Sequence, residues 1–101
     1  TPSVTGSSTV TTISNNCLVV SMLGIRSAAV SGNFSGWTNA SLVSITERGD
    51  EGVVPEDTSA RYHRAIGLAT GVKTTAGLVS ATTLTIASAA SGVGLLLALK
   101  P

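Results

Sequence analysis

The chain has 101 residues, a mass of 10.0 kDa and a formal net charge of +1, with hydrophobic residues at 43%, charged residues at 11% and aromatics at only 3%. That length suits one domain with one core, and high hydrophobicity with low charge is the opposite of the balance that keeps chains disordered. The cations Arg26, Arg48, Arg61, Arg64, Lys73 and Lys100 are scattered, not gathered into the basic stripe that phosphate binding needs, so no nucleic-acid partner is expected.

Residues 1–14 are rich in Ser and Thr, with Val4, Val10 and Ile13 as their sizeable apolar side chains. They read as an N-terminal arm that becomes an edge strand over residues 9–13, because β-branched residues favour a pleated, half-buried setting. Residues 15–101 then form the main domain. The chain begins at Thr1, without an initiator Met or a charged-then-apolar leader. This fits a processed product or a piece of a longer one, without a signal peptide.

Asn15-Asn16 signals a turn. Residues 17–25 are the strongest strand: Leu18, Val20 and Met22 point one way, Val19, Leu23 and Ile25 the other. A run apolar on both faces is what a central, doubly covered strand needs. Cys17, the sole cysteine, excludes an internal disulfide and reads as a small buried hydrophobe. Residues 26–39 read as loop, with Gly32, Asn33 and Gly36 as breakers around Phe34 and Trp37. Residues 40–46 predict a strand, and residues 47–59, which hold Glu47, Arg48, Asp50, Glu51, Glu56 and Asp57, predict an exposed polar loop.

Residues 61–70 alternate, with Tyr62, Ile66 and Leu68 on one face and Arg61, His63, Ala65 and Gly67 on the other. Residues 82–87 form a clean period-two strand with Leu84 and Ile86 inward, and residues 93–99 a final strand apolar on both faces. Six to eight strands separated by Gly, Ser and Asn turns imply an all-β, two-sheet antiparallel β-sandwich of jelly-roll type. Residues 76–99 lack charge and could span a bilayer as a helix. Their hydroxyl-rich, β-branched alternation and paired glycines argue for strands, so no membrane partner is expected.

No catalytic constellation stands out. His63 is the only histidine, and neither a cysteine pair, HExxH nor G-x-S-x-G is present, so neither metal, cofactor nor triad is expected. Asp50, Glu51, Glu56 and Asp57 lack the regular spacing of a calcium loop. With Arg48 they read instead as surface contacts to a partner. Arg48-Gly49-Asp50 matches the tripeptide that adhesive proteins present to integrins, and Asn33 and Asn39 sit in glycosylation-type triplets, all short enough to arise by chance. Trp37 and Tyr62 with Arg61 and Arg64 would make a sugar-stacking platform if exposed. In a chain this poor in aromatics, Trp37 reads more naturally as a core plug.

Several segments share an order with a known group of proteins. Asn16-Cys17-Leu18-Val19-Val20 opens a strand, followed by Phe34-Ser35-Gly36-Trp37-Thr38-Asn39-Ala40 and Ile45-Thr46-Glu47-Arg48. Gly67-Leu68-Ala69-Thr70-Gly71-Val72-Lys73, Thr75-Ala76-Gly77 and a terminal Ala98-Leu99-Lys100-Pro101 come after. From residue 14 to the end this resembles the β-sandwich modules of tailed-bacteriophage structural proteins. The resemblance implies a jelly-roll-like fold, no cofactor and a place on the virion surface among capsid or tail subunits. The expectation is therefore a homo-oligomeric, non-enzymatic capsid-decoration (cementing) or head- or tail-attached module. The alternative is a receptor- or carbohydrate-binding module of a fibre or tail. The low surface charge agrees with packing against neighbours, since dispersed monomers keep well-charged surfaces.

Overall fold

Small and β-branched apolar residues at alternate positions need two layers to bury them, and the computed structural model has this architecture. It describes residues 3–5, 8–26, 33–53, 64–86 and 92–101. The regular elements among these are all strands: β1 (Ser3–Thr5), β2 (Val10–Thr12), β3 (Cys17–Ile25), β4 (Phe34–Thr38), β5 (Val43–Val53), β6 (Arg64–Lys73), β7 (Gly77–Val79), β8 (Thr83–Ile86) and β9 (Gly92–Leu99). They form a four-stranded sheet of order β5-β6-β3-β9, a three-stranded sheet β1-β8-β4 and a two-stranded pair β2-β7. Each pairing is antiparallel. The fold is an all-β antiparallel sandwich. The pairs β1–β8, β2–β7 and β3–β6 are nested, as in one long hairpin rolled over on itself, which is the jelly-roll way of wrapping a chain.

The four-stranded sheet turns one face to the core. Along β3 the buried positions are Cys17, Val19, Ser21, Leu23 and Ile25, and along β6 Ala65, Gly67, Ala69 and Gly71. One half of the core joins Leu23, Ile25, Ala65 and Ala69 to Phe34, Trp37, Leu84 and Ile86 of the opposite layer, with Ile45 against them. The other half gathers Val19, Val79 and Leu96, flanked by Val10, Leu42 and Ala98. Within β6 the small residues face inward because the aromatic rings occupy the space. A Cβ on Gly67 would lie 2.6 Å from Phe34 Cδ2 and 2.9 Å from Trp37 Cζ2.

β3, β8 and β9 lie within or across the stretches where the alternation puts strands, and Asn15-Asn16 turns the chain, Asn16 with φ of 61°. Three regions differ from the sequence reading. Residues 34–38 are a strand, not loop. A bulge at Gly36, φ 60°, shifts the register between Ser35 and Thr38 and breaks the period of two. The extra residue brings Phe34 and Trp37 onto the same inner side three positions apart. β5 runs from Val43 to Val53 and so takes in residues 47–53 of the expected polar loop, whose residues 54–59 lie outside the described residues, with register shifts between Val43 and Thr46 and between Glu47 and Gly49. Finally, in the N-terminal segment Val10–Thr12 pairs with β7 where an edge strand is expected, and Ser3–Thr5 adds a strand the sequence reading lacks, paired with β8. The short strand β7 had no clear sequence signal, and residues 61–63 lie outside the described residues. No helix among the described residues is long and apolar enough to cross a membrane.

Candidate docking surface

The residues that the sequence marks as partner contacts fall into different settings. Asp50 is half-buried and holds β5 to the start of β4. Its Oδ1 accepts from the Asn33 backbone N–H at 3.1 Å and from Asn33 Nδ2 at 3.3 Å, and its Oδ2 accepts from the Phe34 N–H at 3.0 Å. Both carboxylate oxygens are thereby engaged within the chain, so Arg48-Gly49-Asp50 is a piece of bulged strand and not a presented tripeptide. Arg48 donates from Nε to Thr70 Oγ1 at 2.9 Å across the outer face. Glu51 is exposed and pairs in register with Ile66. Glu56 and Asp57 lie outside the described residues. Among the described residues no His, Cys, Asp and Glu side chains gather where three could hold a metal ion.

Of the four residues read as a sugar platform, Trp37 and Arg64 are described. Trp37 is 8% exposed, tilted against Phe34 at a centroid distance of 6.0 Å, and its Nε1 donates to Glu47 Oε2 at 2.6 Å. The core-plug reading is the one that describes it. Arg64 is exposed on the opposite face of the sheet, while Arg61, Tyr62 and His63 lie outside the described residues. Both glycosylation-type asparagines are buried. The Asn39 amide donates to Ser80 O at 2.7 Å and Thr82 Oγ1 at 3.0 Å, and its Oδ1 accepts from the Ser41 N–H and Ser80 Oγ. Cys17 is a buried free thiol whose Sγ meets Ser14 O at 3.3 Å.

What the structure does bring together is the other face of the four-stranded sheet. Directly opposed residues of antiparallel strands share a face, so the register defines its rows. Leu99, Leu18, Val72 and Val43 form one, and Leu97, Val20, Thr70 and Thr46 the next. Leu95, Met22 and Leu68 follow, ending at the Arg48–Gly49 bulge, and then Val93, Gly24, Ile66 and Glu51. Across β9, β3 and β6 the only polar side chain in these rows is Thr70. Large hydrophobics here stand open to solvent: Ile66 is 54% exposed, Leu95 52% and Val93 76%. Beyond Thr70, polar groups enter along β5, as Thr46, Arg48 and Glu51, and at the start of β6, as Arg64.

Isolated exposed apolar residues are ordinary, whereas a contiguous apolar face rimmed by polar groups marks an interaction site. The sequence carried the signal, in the two-faced apolarity of residues 17–25 and 93–99. It did not say that the second face lacks a cover from the described residues of the same chain. Searches against protein-family models, curated proteins and solved structures gave no match to this chain.

Proposed function

We propose that this chain is a non-enzymatic building block of a bacteriophage virion, a capsid-decoration or head- or tail-attached module that works by burying an apolar sheet face against neighbouring subunits. The observation that carries the reading is the outer face of β9, β3 and β6, where leucines, valines, an isoleucine and a methionine stand in register, with charge entering β6 only at its first residue, Arg64. The resemblance of the ordered motifs to tailed-phage sandwich modules suggests the virion setting. Repetition over a particle turns modest contacts into firm attachment through effective concentration. A fibre-borne sugar-binding module finds less support, because Trp37 lies in the core.

The test is mass spectrometry and quantitative gel analysis of gradient-purified particles that encode the chain. Its presence at a fixed, high stoichiometry is expected, together with loss of the Leu97→Glu variant from particles. Absence of the wild-type chain from intact particles would overturn the assignment.

A further inference from the structure

We infer that the outer face of the four-stranded sheet closes on a second copy of this same chain, stacked face to face about a two-fold axis. The inference rests on reading that face as a packing surface and adds which partner covers it. Area supplies the first argument. Four strands spaced about 4.8 Å apart and eight residues rising about 3.3 Å each give a face of about 19 by 26 Å, so two copies cover about 1,000 Å². That reaches the lower bound of about 1,000 Å² for a specific protein interface.

Self-complementarity supplies the second. A two-fold axis lying between the sheets and across the strands lays each strand over its own copy in reverse, so the first row meets the last and the middle rows meet each other. In such an isologous contact residue i meets j and j meets i. Leu97 then faces Leu95 of the partner copy, and Leu18 faces Gly24. Gly24 is a notch in this face: a Cβ built there meets nothing closer than Ala65 O at 3.9 Å and Val93 Cγ1 at 4.0 Å. A large side chain thus lies over a vacant position, twice. The polar column of β5 falls at the periphery, matching the apolar centre and polar rim of stable interfaces.

The experiment is sedimentation velocity on the purified full chain from about 1 µM to about 100 µM, the range in which an interface of this modest size associates. Wild type is expected to pass from monomer to dimer. Leu97→Glu buries a charge against the middle rows and Gly24→Leu fills the notch, and each is expected to weaken association about thirtyfold or more. Far-ultraviolet spectra and melting at the lowest concentration, unchanged in Gly24→Leu, separate lost association from lost folding. A wild type that stays monomeric throughout, or a dimer indifferent to both substitutions, would refute the inference. If the monomer floats with phosphatidylcholine vesicles, a bilayer is the occupant and the inference also fails. If it stays monomeric while Leu97→Glu is lost from particles, another virion protein covers the face, and the proposed function survives without the dimer.

Discussion

Single residues decide how the two layers meet, and Gly67 shows it most directly. It sits on the inner face of β6, beneath the rings of Phe34 and Trp37, with no room for a methyl group. Overpacking of a filled core costs about 1 to 3 kcal/mol. Gly67→Ala is therefore expected to lower the urea midpoint by the equivalent of that amount with an unchanged denaturant slope. Gly49→Ala is the matched control, since a Cβ there would meet nothing nearer than Leu68 Cβ at 3.8 Å. An equal loss in both variants would mean that strand propensity, not the ring contact, sets the cost. The sequence offers Gly67 and the aromatics separately. It cannot reveal that they meet, because the bulge at Gly36 that aims Phe34 and Trp37 at β6 leaves no periodic trace.

At the scale of elements, Asp50 does for β4 and β5 what ladder bonds do elsewhere. These strands lie in different sheets, and the carboxylate joins them through the N–H groups of Asn33 and Phe34. Removing the acceptor leaves buried donors unsatisfied, at about 1 to 3 kcal/mol for each such group. Asp50→Ala is expected to destabilise by about 2 to 4 kcal/mol in chemical denaturation. Asp50→Asn should lose less, because one oxygen acceptor remains. A neutral Asp50→Ala would show that the clasp adds nothing to stability.

This element also marks where sequence reading stopped. Strands with an uninterrupted period of two, β3, β8 and β9, are legible because burial alternates with the pleat. β5 is not, since Glu47, Arg48, Asp50 and Glu51 read as a solvated excursion. Two bulges let those side chains serve the sheet's inner edge and outer rim in turn. The docking face was half legible: both apolar sides of β3 and β9 are plain in the residues, but a strand's composition does not name what covers it.

For the whole molecule, nested pairing dictates how the fold is reached. β1 joins β8 through Ser3 and Thr85, near opposite ends of the chain, and β2 joins β7 through Val10 and Val79. β5 and β6, by contrast, follow one another and meet at Val53 and Arg64, and β6 also pairs with β3 at the centre of the sheet. Closing long loops costs entropy before any contact offsets it, so the β5–β6–β3 unit should form first and the β2–β7 pair afterwards. Topologies dominated by distant pairings fold in milliseconds to seconds, and buried Trp37, the only tryptophan, reports the event by fluorescence in a stopped-flow mixer. Two substitutions separate the stages. Ala69→Gly weakens the centre of β6 by about 1.5 kcal/mol through lost burial and backbone freedom and should act mainly by slowing refolding. Val79→Ala opens a cavity at a fully buried site in β7, at a cost of about 2 kcal/mol, and should act mainly by speeding unfolding. If Val79→Ala slowed refolding as much as Ala69→Gly, the rolled hairpin would have to close from its outer pairs inward, and local strand order would not govern the route.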